Sequence, residues 1–97
     1  MDKKFSVYIM ASRKNGVLYI GMTSNIIKRV YEHKNNIFKG FTTKYRVSKL
    51  VYHEFYSSPY DAIVREKRLK KWNRIWKIRL IEKENPNWED LYYKIIE

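Results

Sequence analysis

Two short runs of β-branched and aromatic residues open the pattern of apolar and polar positions along the chain. They cover residues 5–11 and 17–21, and Asn15-Gly16 lies between them. An Asn-Gly pair between two such runs is the strongest short-range signal for a β-hairpin. A third run of the same character covers residues 49–55. The pattern therefore predicts a small, mostly antiparallel three-stranded sheet that begins with a hairpin.

A helical pattern lies between the second and third runs. It begins after the N-cap candidates Thr23, Ser24 and Asn25 and extends to about Lys34. One face of this helix is formed by Ile26, Val30, His33 and Ile37. Arg29 and His33 are four residues apart, so their side chains are neighbours. The following residues, 35–46, form a polar connection that contains Gly40.

A longer helical pattern follows the third strand. Ser58 is its N-cap candidate and Pro59 its first residue, and Asn85-Pro86 stops it after about Glu84. Its apolar stripe consists of Ala62, Leu69, Trp72, Trp76 and Leu80. One long helix and two helices with a break near Asn73 both fit, and we favour the break.

Asn87 predicts a last helix, from Trp88 to Ile96, because Asn is a favoured N-cap. The element order is then β-β-α-β-α-α-α. This order predicts an α+β fold in which three to four helices cover the sheet. At 97 residues, the chain is expected to form one domain, 1–97.

The charge balance indicates a polyanionic partner. Lys and Arg number 21 against 10 Asp and Glu, which gives a net charge of +11. Nucleic acid is the favoured partner, ahead of a membrane surface or an acidic protein. No cysteine is present, so disulfides and thiolate zinc sites are excluded. No apolar run approaches the roughly 20 residues that span a bilayer, and we expect a cytoplasmic protein.

Positive charge is densest between Arg65 and Arg79, where eight basic residues face one acid, Glu66. A merely solvated helix face normally alternates in sign, so this density favours phosphate contacts, although some of these residues are solvated in any case. The predicted nucleic-acid-binding residues are Lys67, Lys70, Lys71, Arg74 and Lys77.

Glu66 lies at the border of the apolar stripe, so its side chain is expected to point towards the edge of the sheet. Two interpretations remain open. The carboxylate can form an ion pair with Lys70, four residues on. It can also hold Mg²⁺ together with waters and a substrate phosphate. From this residue alone, the ion pair is the favoured interpretation.

Several of these residues together resemble a known family. Ser6-Val7-Tyr8, then Tyr19-Ile20-Gly21 after ten residues, is similar to the paired tripeptides of the GIY-YIG nucleases. Arg29, His33 and Glu66 stand at the family's spacing. The chain resembles the small single-domain members, the N-terminal catalytic domain of the excinuclease C subunit and the catalytic domains of intron homing endonucleases. The resemblance spans nearly the whole chain.

The resemblance implies DNA phosphodiester hydrolysis with one divalent metal, expected to be Mg²⁺, with Mn²⁺ as the alternative. It implies that Tyr8 is the general base or a base relay and that Tyr19 orients the attacking water. Arg29 is then expected to stabilise the transition state, and His33 to assist at the phosphate or the base. Glu66 is expected to bind the metal. A role in DNA repair or recombination, and a protein partner that supplies targeting, are further expectations.

The chain departs from the family pattern in two ways. Ser6 and Val7 replace the family's Gly and Ile, and the Asn that several members carry after the Glu matches either Asn73 or Asn85.

Two other classes of function remain open. A non-catalytic nucleic-acid-binding module on the same scaffold is the first alternative to a nuclease. A basic adaptor for an acidic protein is the second, and it has no use for the two tyrosines, the Arg and the Glu.

Overall fold

The computed structural model describes residues 4–37 and 40–97. In chain order its elements are β1 (Phe5–Ala11), β2 (Leu18–Thr23), α1 (Ile26–Lys34), α2 (Phe41–Lys44), β3 (Lys49–Tyr56), α3 (Pro59–Lys71), α4 (Arg74–Glu84) and α5 (Tyr92–Ile95). The predicted α+β class and the three-stranded sheet are confirmed. The polar connection 35–46 contains a single-turn helix, α2, that its sequence pattern did not predict, and residues 38–39 of this connection lie outside the described residues.

The sheet is fully antiparallel, with strand order β2-β1-β3. The predicted hairpin is confirmed: in its turn, the Gly16 N–H donates to the Arg13 carbonyl at 2.9 Å, and Asn15 adopts a left-handed φ of 59°. Asn tolerates this conformation better than most residues because its short polar side chain can bond locally. β1 is the central strand, and it is buried from Ser6 to Ala11.

Because successive side chains of a strand point to opposite faces, the buried strand β1 contributes to two apolar clusters. On the first face, Val7 and Ile9 pack with Leu69 of α3 and Ile81 of α4. On the second face, Tyr8 and Met10 pack with Val30 of α1 and with partly buried residues of α5. The sheet is therefore covered on both faces, and Tyr8 lies on the face of α1.

Each of the three longer helices begins at a polar side chain that caps its first turn. Asn25 accepts a hydrogen bond from the Lys28 N–H, Ser58 from the Asp61 N–H, and Asn73 from the Trp76 N–H. These caps confirm the predicted starts of α1 and α3. The cap at Asn73 also confirms the predicted break, since it separates α3 from α4.

Beyond this break the predicted apolar stripe is wrong at Trp76, whereas Leu80 packs partly buried against the core. Trp76 is 51% exposed, and the buried position of α4 is Ile81. The reason is that Trp72 leaves the helical conformation, with ψ 149°, so the phase of the periodicity restarts at the new N-cap. Ile37, assigned to the buried face of α1, is also exposed, because α1 ends at Lys34.

The predicted last helix is shorter than expected, because it covers Tyr92–Ile95 and not Trp88–Ile96. Trp88 is fully buried with φ 54°, and its indole N–H donates to Glu82 at 2.8 Å. Asn85, not Asn87, organises this segment. Its side-chain amide donates to the carbonyls of Val51 and Glu89, and its carbonyl accepts from the Glu89 N–H.

Asn85→Ala is expected to lower the free energy of unfolding by about 2–3 kcal/mol, because it leaves buried main-chain groups without partners. Exposed Asn87 is the matched control, and Asn87→Ala should change stability by less than about 0.5 kcal/mol. Urea titration of both variants measures the difference. Equal stability of the two variants would contradict a structural role for Asn85.

Candidate active site

The Tyr8 ring lies directly across the hairpin from Gly21. The two residues are paired in the register of β1 and β2. A Cβ atom on residue 21 would lie 2.5 Å from the Tyr8 hydroxyl oxygen and 2.7 Å from Cζ. Such contacts are shorter than packed atoms tolerate, so Gly21 is required for this ring position. A glycine inside a strand pattern is a sequence signal for close approach, and our sequence reasoning did not use it.

The Tyr8 hydroxyl forms a buried hydrogen bond with His33. The phenol oxygen is 3.1 Å from Nε2 of the imidazole, and Nδ1 is 3.2 Å from the hydroxyl of Thr42. Tyr19 contacts both of the other rings, with centroid distances of 6.3 Å to Tyr8 and 5.4 Å to His33. Thus β1, β2 and α1 each contribute one ring to a single aromatic cluster, and α2 adds Thr42.

Arg29 lies at the same hydroxyl. Burial and the neighbouring Tyr19 raise the pKa of Tyr8 above its ordinary value, while the charge and hydrogen bond of Arg29 act in the opposite direction. Burial, reinforced by Arg29, also lowers the pKa of His33, and the Glu32 carboxylate partly opposes this effect. A lowered His33 pKa favours neutral imidazole.

Glu66 influences the cluster electrostatically from α3, whose core residues pack on the other face of the sheet. Its helix, α3, packs on β2, the edge strand beside Tyr8's strand. The Glu66 carboxylate is close enough to raise the Tyr8 pKa, although it is the weakest of the influences on it. The carboxylate is 3.2 Å from the ammonium of Lys70. The ion pair that we favoured for Glu66 is therefore present, and it coexists with an electrostatic influence of Glu66 on Tyr8.

The comparisons with known proteins assign this geometry to a family. Residues 4–79 match the GIY-YIG catalytic domain. The chain belongs to the GIY-YIG family. The UPF0213 protein of Staphylococcus saprophyticus is 36% identical to it over 81 residues, which are 84% of this chain and 96% of that protein. The UPF0213 protein of Clostridium perfringens is 37% identical over 84 residues, 87% of this chain and 89% of that protein.

A solved structure shares the GIY-YIG fold seen here. The solution NMR structure of the UPF0213 protein from Bacillus halodurans superposes with a TM-score of 0.56 at 24% identity, covering 90% of this chain and 92% of that one. The GIY-YIG family consists generally of nucleases that depend on a divalent metal, and its domain implies DNA binding. None of the helices in residues 4–37 and 40–97 is long and apolar enough to cross a membrane.

Glu66 is the carboxylate of this GIY-YIG domain that we test as a metal ligand. Within the described part of the chain, no group of three or more His, Cys, Asp or Glu side chains lies close enough to hold an ion. Glu66 is half-buried at the cluster edge, and a carboxylate oxygen is a preferred ligand of hard divalent cations. Mg²⁺ commonly binds to one or two carboxylates while keeping its waters and a substrate phosphate, so this donor set fits such an ion.

The predicted basic residues differ in their surroundings. Lys67 and Lys71 are exposed on α3. Lys70 and Lys77 line a cavity of about 320 Å³ that also includes Tyr19 and Phe41. Arg74 donates to the carbonyls of Asn15 and Gly16 at 2.7 and 2.6 Å, so it fastens α4 to the hairpin turn. Phe41 and Thr42 were not predicted, because the connection that carries them has no regular apolar pattern.

Gly21→Ala is expected to destabilise the protein by about 1–3 kcal/mol, since the Tyr8 ring has to move out of a packed position. The same substitution made together with Tyr8→Val should cost much less, because the ring is gone. Thermal unfolding of the two single variants and the double variant measures this coupling. An equal cost in both backgrounds would contradict the close contact.

Proposed function

We propose that this protein is a metal-dependent DNA endonuclease that uses Tyr8 and His33 as a proton relay. The observation that supports this proposal most strongly is the buried hydrogen bond between the Tyr8 hydroxyl and His33 Nε2, 3.1 Å long, with Arg29 at the same oxygen. A nucleic-acid-binding surface has no need for such a relay. Phosphodiester hydrolysis does, because the attacking water has to lose a proton.

The direction of the relay follows from the donors. A guanidinium can only donate hydrogen bonds, so the Tyr8 oxygen accepts from Arg29 and its own proton is left for His33 Nε2. Nδ1 of His33 then carries the single ring proton of the neutral imidazole and donates a hydrogen bond to the Thr42 hydroxyl, 3.2 Å away. Tyr8 can thus take a proton from water while it passes its own to neutral His33. Its raised pKa argues against a free phenolate as the base.

Arg29 is proposed to hold the scissile phosphate. Its guanidinium fork matches two phosphate oxygens. The side chain is partly exposed, 3.7 Å from Glu32, and it lines an open cavity of about 400 Å³ together with Lys28 and Asn25. A phosphate that enters from this side meets Lys28 and Arg29, and Arg29 also lies at the Tyr8 hydroxyl. Tyr19, in contact with both relay rings, is proposed to help orient the water.

Glu66 is proposed to hold the metal, with Mg²⁺ as the expected ion and Mn²⁺ as the alternative. When bound, a divalent cation supplies stabilisation of the negative charge that develops at the phosphate and leaving oxygen. Lys70 is exposed, and because exposed ion pairs are weak it can exchange the carboxylate for a phosphate. Lys67, Lys71 and Lys77 are proposed to extend this contact along the DNA backbone, with affinity that falls as salt rises. Arg74 supports them by holding the hairpin, and its remaining donors can reach a phosphate.

The biological setting remains a prediction. DNA repair or recombination is the process we expect, and a protein partner that selects the DNA is part of that prediction. The high positive charge on α3 and α4 supports phosphate contacts without base readout, which is why selection of a target needs a further determinant.

Glu66→Gln tests the catalytic role. Gln keeps the shape of the side chain but removes the charge that the metal requires, so metal-dependent cleavage should fall at least about 100-fold, equivalent to about 2.7 kcal/mol in the barrier. Fold and DNA affinity should be retained. Cleavage of linear and branched DNA with Mg²⁺, Mn²⁺ or EDTA is measured beside the melting temperature.

Glu89→Gln is the matched control, since Glu89 forms an exposed ion pair with Lys94 at 3.7 Å and has no role in the proposed site. It should cleave at the wild-type rate. Unchanged cleavage by Glu66→Gln would show that Glu66 is not the metal ligand. If the wild-type protein binds these DNAs and cleaves none of them, the non-catalytic binding module is the better account.

A further inference from the structure

Three aromatic rings form a continuous surface that begins in the candidate site and extends to solvent. The Tyr19 and Phe41 centroids are 6.2 Å apart, and those of Phe41 and Tyr45 are 4.8 Å apart. Phe41 and Tyr45 remain 48% and 43% exposed. We call these three rings the Phe41 surface. Contiguous exposed apolar area on a small protein marks a binding surface.

The Phe41 surface borders the cavity that runs along the edge strand β2. Leu18, Tyr19 and Ile20 of this strand line it, together with Phe41, Lys70 and Lys77. Its volume of about 320 Å³ is in the range of small-ligand sites, roughly 300–1,000 Å³. The cavity therefore combines flat apolar rings with two ammonium groups, directly beside the Tyr8 cluster.

We infer that the Phe41 surface binds an unstacked nucleobase of the DNA strand whose phosphate lies at Arg29. This inference rests on the proposed function, because that function brings a DNA strand to the adjoining site. Phe41 has no polar atom to offer, but its ring face can stack on any base. Lys70 and Lys77 are placed to meet the phosphates on either side of that base.

The chemistry of the cavity selects this occupant over others. An acidic peptide would satisfy the lysines and leave the aromatic faces uncovered, whereas a nucleotide presents a planar ring and an anion together. A base inside a duplex has both faces covered by its neighbours. The bound base therefore comes from a single-stranded segment or is flipped out of the duplex.

Binding measurements in EDTA test the inference. Fluorescence anisotropy gives the affinity for a labelled single-stranded oligonucleotide and for an all-abasic strand of equal length, which keeps the phosphates but has no bases. Phe41→Leu, which keeps apolar volume and removes the ring face, should weaken binding of the base-bearing strand about tenfold. Phe41→Ala should do the same. Neither variant should alter binding of the abasic strand.

Two control variants isolate the stacking effect. Phe41→Trp keeps a ring face and should bind the base-bearing strand at least as tightly as the wild type. Phe55 is also 48% exposed but lies on β3, outside the cavity, and Phe55→Ala should bind like the wild type. The inference is overturned if Phe41→Leu binds the base-bearing strand as well as the wild type does, or if it loses equal affinity for both strands.

Duplex substrates distinguish the two sources of the base. A Phe41→Leu effect confined to the single strand identifies a single-stranded segment, and an effect that extends to a duplex with one central mismatch identifies a flipped base. None of these binding measurements requires cleavage, so their result does not depend on whether the protein is a nuclease. A protein that cleaves no DNA but shows the Phe41 effect keeps the base site and loses the catalytic assignment.

Discussion

The hydrogen bond between Tyr8 and His33 is the interaction on which the rest of this site depends. Tyr8 is fully buried on the central strand, and a buried hydroxyl without a partner is costly. The bond to His33 meets this requirement and fastens the sheet to α1. The second ring nitrogen of His33 contacts Thr42 and fastens α1 to α2. One polar chain thus connects β1, α1 and α2.

The position of the Tyr8 ring also restricts which residue can lie across from it on β2. Only glycine at position 21 leaves room for the ring, and the antiparallel register then sets Tyr19 at the diagonal neighbour of Tyr8. The register further aligns Met10 with Tyr19, so the second face of the hairpin is both a core surface and the floor of the site. This dual use explains why catalytic candidates on β1 and β2 are themselves buried or half-buried.

Electrostatic balance is the second property of the site. Arg29 opposes the effect of burial on the Tyr8 pKa but adds to its effect on the His33 pKa, so it stabilises a neutral imidazole next to a phenol. Away from the cluster, a second carboxylate, Glu54, is bound by Arg65 at 2.6 Å and by the Tyr56 hydroxyl at 2.7 Å. That network joins α3 to β3 and leaves Glu66 as the carboxylate at the β2 edge.

Local signals in the sequence were sufficient for the strands, the hairpin turn and the N-caps of α1 and α3, because each depends on a few adjacent residues. The break at Asn73 was predictable for the same reason. Trp76 and Trp88 were misjudged because periodicity was carried across a cap and because the side-chain hydrogen bonds of Asn85 override a helical start at Asn87. Glu66 could be placed at the sheet edge from its helix position. The contacts of Phe41 and Thr42 could not be predicted, since they depend on tertiary packing of a connection without a pattern.

The pH dependence of single-turnover cleavage, measured for the wild type and for His33→Gln at saturating metal, tests the relay most directly. His33 can accept the Tyr8 proton only when its imidazole is neutral. Its pKa lies below the ordinary 6.5, so the neutral form predominates above that pH. We predict that the wild-type rate is insensitive to this group above pH 6.5 and falls in proportion as acid protonates it below that value. The His33→Gln variant should be slow throughout and should lack this fall. A variant that cleaves at the wild-type rate, or one that retains the same acid limb, would contradict the relay.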